Sequence, residues 1–170
     1  MKSKENLVFL GMMGSGKSSI GALVSKKLNI KFIDIDQEIE KKLGMTILEI
    51  FQNNGEKYFR KIEEIITLKQ LKKNNTVISL GGGAFLNNKI KKEILENHLS
   101  FWLNWEINTL IKRIKNNQKR PLAHNLSEKK LKELIKKRSI IYSEAMYKIN
   151  CENLSKNEIV KSIINIYESN

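Results

Sequence analysis

The sequence predicts an α/β domain with a parallel sheet covered by helices on both faces. Three observations predict it. Short apolar runs of four or five residues alternate along the chain with stretches of helical periodicity. Those runs are continuously apolar rather than alternating, as strands buried on both faces are. The length of 170 residues fits one core without a linker or repeat.

The elements follow in order. Leu7–Leu10 reads as the first strand. Ser18–Leu28 is the first helix, with apolar residues at 20, 23, 24 and 28. Lys31–Ile35 is the second strand. Helical patterns cover about 37–43, 46–53 and 56–73. Thr76–Leu80 is a third strand ending at Gly81-Gly82-Gly83. Asn87–Glu96 is helical, Leu99–Leu103 is a fourth strand and Glu106–Lys115 is helical. The polar stretch 116–126, which holds the single Pro, is a loop. Leu131–Tyr142 is helical and Tyr147–Cys151 is a fifth strand. The last helix spans Ser155–Glu168, with Ser155 and Glu158 spaced as a capping box.

Composition narrows the function classes. A single cysteine, Cys151, excludes a disulfide framework and a zinc-finger cluster. No apolar stretch approaches the length of a membrane span and the first residues are polar, so a cytoplasmic protein without a membrane partner is expected. The net charge of +13 raises the question of nucleic-acid binding. Of the 31 basic residues, however, 27 are Lys, spread over the polar faces of the helical stretches. That pattern reads as a solvated surface, and no nucleic-acid partner is expected. The four arginines, at 60, 113, 120 and 138, stand out against this background. Where a chain so rich in Lys places Arg, a planar fork for carboxylate or phosphate is the expected need.

Gly11-Met12-Met13-Gly14-Ser15-Gly16-Lys17-Ser18 matches G-x-x-x-x-G-K-[ST] between a strand and a helix. Its glycines let backbone N–H groups converge on phosphate oxygens, and the following helix adds its positive end. Lys17 can reach the β- and γ-phosphates, and the Ser18 hydroxyl can bind Mg²⁺. Gly14, Ser15, Gly16, Lys17, Ser18 and Ser19 are therefore expected to hold a nucleotide. Strand alternation places Asp34 and Asp36 on one side, with Ile35 turned to the core. One carboxylate suits a Mg²⁺ shell and the other a hydroxyl proton, although Asp36 could equally N-cap the next helix. Arg60 and Glu63 share a helix face beside Phe59. Gly81–Gly83 admits a ligand close to the backbone. Ser79 stands where many P-loop proteins carry a Mg²⁺-directed Asp. Arg120-Pro121-Leu122 lies in the polar loop and suits a lid over about 115–126. Arg138 could reach back as a second anion grip. His98, His124, Trp102 and Trp105 carry no functional assignment. Trp102 reads as core, His124 as solvated and Cys151 as structural.

Taken together, the P-loop, D-x-D, F-R-x-x-E, G-G-G, R-P-L and a later Arg resemble the shikimate kinases over essentially the whole chain. The resemblance implies a nucleoside-monophosphate-kinase-like fold with a central five-stranded parallel sheet. It implies phosphoryl transfer from MgATP to the 3-hydroxyl of shikimate, in the route to chorismate and aromatic amino acids, by a monomer. Asp36 would be the base, and Lys17 and Arg120 would neutralise the transferring phosphoryl. Arg60 and Arg138 would hold the shikimate carboxylate, with Gly82 and Gly83 at the ring hydroxyls. Phe51, Phe59 and Glu63 would line or brace the acceptor pocket. Asp34 and Ser18 would serve Mg²⁺, and Arg113 would pack on adenine. One departure is visible: Asn153–Lys156 stands where relatives often place an Arg and a Pro beside the adenine. A gluconate kinase-like enzyme would share the P-loop but leaves G-G-G and F-R-x-x-E unexplained. A basic P-loop protein that binds nucleic acid leaves D-x-D and G-G-G unexplained. A non-catalytic nucleotide switch sits poorly with a complete set of catalytic side chains.

Overall fold

Strand β1 (Asn6–Leu10) is buried along its whole length, which its run Leu7-Val8-Phe9-Leu10 requires. Alternation divides it: Val8 and Leu10 enter one apolar cluster, Leu7 and Phe9 the other. The computed structural model describes residues 6–116 and 126–169. Around β1 lie β2 (Lys31–Asp34), β3 (Thr76–Ser79), β4 (Leu99–Asn104) and β5 (Tyr147–Asn150), all parallel in the order β2-β3-β1-β4-β5. The expected five-stranded parallel sheet is present.

Helices α1 (Lys17–Leu28) and α7 (Lys156–Glu168) cover one face. On the other lie α2 (Ile35–Leu43), α3 (Ile47–Leu71), α4 (Asn88–Asn97), α5 (Ile107–Lys115) and α6 (Glu128–Tyr142). The expected capping box is made: Ser155 accepts from the Glu158 N–H, and Glu158 accepts from the Ser155 N–H. Thr46 and Glu49 make a second one at the start of α3. Gly55, with φ 78° and ψ 170°, interrupts α3 between the two helical patterns read at 46–53 and 56–73. A short 3-10 turn at Ala84–Leu86 follows the glycine run and was not foreseen.

One reading is corrected at β2. The strand ends at Asp34, and Ile35 already belongs to α2. The Asp34 side chain accepts from the Gln37 N–H at 3.3 Å and so caps α2. The N-cap role weighed for Asp36 thus belongs to Asp34, and strand alternation does not relate the two carboxylates. Asp36 instead lies in the first turn of α2, where the helix dipole favours a negative charge.

At the opposite end of the sheet, the fully buried Asn6 ties three segments together. Its amide donates to the carbonyls of Leu71 at 3.1 Å and Lys73 at 2.5 Å, and its oxygen accepts from the Thr76 N–H at 3.1 Å. Asn6→Ala removes these three hydrogen bonds, and a buried group left without its partner costs roughly 1–3 kcal/mol before relaxation. The expected outcome is a fall in the urea midpoint with turnover per folded molecule unchanged. A midpoint equal to wild type would refute this role for Asn6.

Candidate active site

The segments that follow the carboxyl ends of β1, β2 and β3 converge, as ligand sites in open α/β sheets require. The first is Gly11–Gly16. Gly16, with φ 89°, stands at the N-cap of α1, and no side chain caps that helix. The N–H groups of the first turn are thereby left to face an anion. Lys17 is 6% exposed and folds back along the loop, its ammonium donating to the carbonyls of Gly11 and Met12, each at 2.9 Å. The cavity beside it, about 270 Å³, includes Gly14, Gly16, Lys17, Ser18, Ser19 and Asp34.

The Ser18 hydroxyl donates to Asp34, and the Ser79 hydroxyl lies 3.5 Å from that of Ser18. A few hard oxygens next to a phosphate cradle match how Mg²⁺ is held, by one or two protein ligands with phosphates and waters completing the shell. Ser79 cannot supply the charge of an Asp, so Asp34 is the carboxylate at this point.

A second cavity, about 370 Å³, reaches the same loop at Met13. Phe51 and Phe59 form its apolar wall, with ring centroids 4.6 Å apart. The Arg60 guanidinium lies 5.1 Å from the Phe59 centroid and donates to Glu63 at 2.7 Å and to Glu56 at 3.3 Å. Glu63 is 2% exposed, so this is not the surface ion pair that its spacing allowed. Burial pushes the Glu63 carboxyl above the usual carboxylate range, against the pull of Arg60, and Asp36 adds to the rise. Arg138 crosses from α6, with its guanidinium 3.5 Å from the Gly82 carbonyl. Asp36 and Gly82 line both cavities, at the junction between the phosphate cradle and the pocket holding Arg60 and Arg138.

The glycine run is the floor of that junction. A Cβ on Gly81 would stand 2.5 Å from Glu63 Oε1 and 2.8 Å from Asp36 Oδ1. One on Gly83 would stand 2.7 Å from Arg60 Cζ. The side chains of the site pack directly on this backbone at Gly81 and Gly83. There a Cβ would force the ends of Glu63, Asp36 and Arg60 to move, whereas at Gly82 a Cβ would meet only ordinary contacts.

A model of the family described as Shikimate kinase matches residues 13–168. This chain belongs to the shikimate kinase family. The shikimate kinase of Persephonella marina is 40% identical over 159 residues, covering 94% of this chain and 96% of that one. That of Bacillus subtilis is also 40% identical, covering 95% and 88%. The structure of the Acinetobacter baumannii shikimate kinase in complex with shikimate superposes with a TM-score of 0.91 at 27% identity, over 99% of this chain and 95% of that one. The Aquifex aeolicus shikimate kinase superposes with a TM-score of 0.83 at 32% identity, over 96% of each chain.

Of the residues predicted from sequence, the chain brings together Gly14, Gly16, Lys17, Ser18, Ser19, Asp34, Asp36, Phe51, Phe59, Arg60, Glu63, Gly82, Gly83 and Arg138 in the two cavities, while Ser15 is buried within the loop. Arg113 lies beside the P-loop, its guanidinium 3.6 Å above the Trp105 ring. Arg120, Pro121, Leu122 and His124 lie outside the described residues. Trp102 is core, as expected, at 6% exposure, and Cys151 is buried. Two neighbours of the site went unread. The Trp105 indole N–H donates to the Ser15 carbonyl at 2.9 Å. The Tyr142 hydroxyl donates to the Gly82 carbonyl. Tyr142 is four residues after Arg138 on α6, so helical spacing carried a signal. Trp105 had none.

Tyr142 has a measurable signature. Burial pushes its hydroxyl up to about 12, against the pull of Arg138. The unfolded side chain releases its proton near 10, so between these values the unfolded state binds fewer protons and stability falls as pH rises. The fall is on the order of 1.4 kcal/mol per pH unit. Tyr142→Phe removes it, flattening the alkaline limb of stability measured by urea unfolding against pH. An alkaline slope equal to wild type would contradict the buried, neutral hydroxyl.

Proposed function

We propose that this shikimate kinase transfers the γ-phosphoryl of ATP to the 3-hydroxyl of shikimate with Asp36 as the base. The observation that carries the reading is the position of Asp36, which borders both the phosphate cradle and the pocket that holds two arginines. Shikimate is a carboxylate with ring hydroxyls. Arg60 and Arg138 grip the carboxylate, while Gly82 and Gly83 meet the hydroxyls through the backbone. Phe51 and Phe59 exclude water from the apolar side of the ring. Glu63 positions Arg60, and its burial keeps the guanidinium from swinging into solvent.

Phosphoryl transfer needs an in-line approach and charge stabilisation more than covalent help. Asp36 orients the acceptor hydroxyl and takes its proton as the new O–P bond forms and the bond from the γ-phosphorus to the β,γ-bridging oxygen breaks, with ADP leaving. Lys17 leaves its carbonyl partners to neutralise the β- and γ-phosphates. Ser18 and Asp34 would hold Mg²⁺, directly or through water, and when bound the ion would supply charge neutralisation to the phosphates. Arg113 packs on adenine. Arg120, which lies outside the described residues, would add charge to the transferring group. A monomer working on two small anions is part of this reading. Among the described residues no helix is long and apolar enough to cross a membrane. A cytoplasmic enzyme without nucleic-acid or membrane partners, serving the route to chorismate and aromatic amino acids, belongs to the same reading.

The test is an ADP-release assay with MgATP and shikimate, gluconate or no acceptor. Fast release with shikimate alone is the expected result. Release with gluconate would break the acceptor assignment. Asp36→Asn lowers kcat by roughly 10²–10⁴-fold, the range for a general base, and near-wild-type turnover would remove Asp36 from that role. Arg60→Lys raises KM for shikimate far more than KM for ATP, because the charge remains but the bidentate fork is lost. An unchanged kcat/KM for shikimate would refute the carboxylate grip.

A further inference from the structure

Trp105 stands at the point where β4 ends and α5 begins, beside the phosphate loop but outside both cavities. It makes two directed contacts. Its indole N–H donates to the Ser15 carbonyl at 2.9 Å, which fixes the ring against the loop. Its face carries the Arg113 guanidinium at 3.6 Å from the ring centroid, well inside the range of a cation–π contact. The half-buried ring also packs against both apolar clusters of the domain, so it cannot turn freely.

Arg113 is an exposed residue near the end of α5. A solvated arginine there would sample many rotamers. With one face of its planar fork laid on the indole, a single orientation is selected and the other face remains for a flat ligand. The position is also set from below. A Cβ on Gly14 would stand 3.5 Å from the Arg113 Cβ, so the arginine starts beside the phosphate loop itself. The start of α5 is tied down by Glu152, which accepts from the Thr109 hydroxyl at 2.8 Å and the Glu106 N–H at 3.2 Å.

We infer that Trp105 is a positioning residue for the nucleotide: its ring is the bed of a three-layer stack of indole, guanidinium and purine base. The inference rests on the assignment of Arg113 to the nucleobase. Trp105 touches neither substrate. It acts by holding Arg113 in place before ATP arrives, so that less ordering remains to be done on binding. The indole N–H contact to Ser15 keeps the bed in register with the loop that receives the phosphates.

The test compares Trp105→Leu, which keeps apolar volume but lacks a π-face, with Trp105→Phe, which keeps an aromatic face. Arg113→Ala and the double variant Trp105→Leu/Arg113→Ala complete the set. Each is assayed for KM of ATP, KM of shikimate, kcat, and inhibition by inorganic tripolyphosphate, which fits the phosphate loop but has no base. Trp105→Leu raises KM for ATP about 2- to 10-fold, the scale of one cation–π contact. Tripolyphosphate inhibition and KM for shikimate stay within about twofold of wild type, and Trp105→Phe recovers most of the loss. The double variant is no worse than Arg113→Ala, because Trp105 acts through Arg113. Equal weakening of ATP and tripolyphosphate in Trp105→Leu would overturn the proposal in favour of a role in the phosphate loop alone. So would additive losses in the double variant, or an unchanged KM for ATP in Trp105→Leu when Arg113→Ala raises it. An unchanged KM for ATP in Arg113→Ala would overturn the assignment of Arg113 itself, and the stack with it.

Discussion

The charged and hydrogen-bonding side chains of the acceptor side lean on the bare backbone of Gly81–Gly83, and the rest of the site depends on that contact. Glu63 and Asp36 approach Gly81, Arg60 lies across Gly83, and Tyr142 and Arg138 meet the Gly82 carbonyl. A side chain on Gly81 or Gly83 would push apart the groups that define the pocket. The run can serve this purpose because β3 is clamped between β1 and β2, so its carboxyl end is set by the sheet ladder rather than by the loop. Tyr142 and Arg138 then hold the loop's Gly82 carbonyl from the side of α6.

Charge is handled differently at the site and on the surface. The surface carries its excess as lysine, in exposed pairs such as Lys132 with Glu128 that contribute little. At the site, Arg60 is braced by an almost fully buried acid, Glu63. Burial works against the Glu63 charge and Arg60 works for it, so each member restrains the other. Breaking such a pair costs more than forming it gains, because one partner is left buried with an uncompensated charge. The pair therefore serves orientation: the guanidinium is held at the Phe59 wall with part of its fork turned to the pocket.

Local rules made much of this readable. The P-loop announces itself because its task needs glycine, lysine and serine at set spacings between a strand and a helix. The Ser155–Glu158 capping box is equally local, since donor and acceptor are three residues apart. The scarcity of arginine was informative for the same reason that lysine was common: the surface accepts either, whereas a bidentate grip does not. Asp34 and Asp36 show where local reading stopped. Their pairing was seen, but not that β2 would end one residue sooner, because the Asp34 side chain competes for the Gln37 N–H and starts the helix there.

The sequence by itself determined the strand-and-helix order, the phosphate cradle and the residue types of the acceptor pocket. Each of these depends on neighbours along the chain or on chemistry that only one side chain performs. Tertiary structure alone decided how segments distant in sequence meet. It buried Glu63 beneath Arg60, brought Tyr142 to Gly82 and laid Arg113 on Trp105 against Ser15. The 60 residues between Tyr142 and Gly82, and the 90 between Trp105 and Ser15, are bridged only when helices pack on the sheet. Helical spacing sets which side chains share a face, as with Arg60 and Glu63 or Arg138 and Tyr142. The burial of Glu63 and the partners found at Gly82 and Ser15 arise instead from the shape of the packed layers.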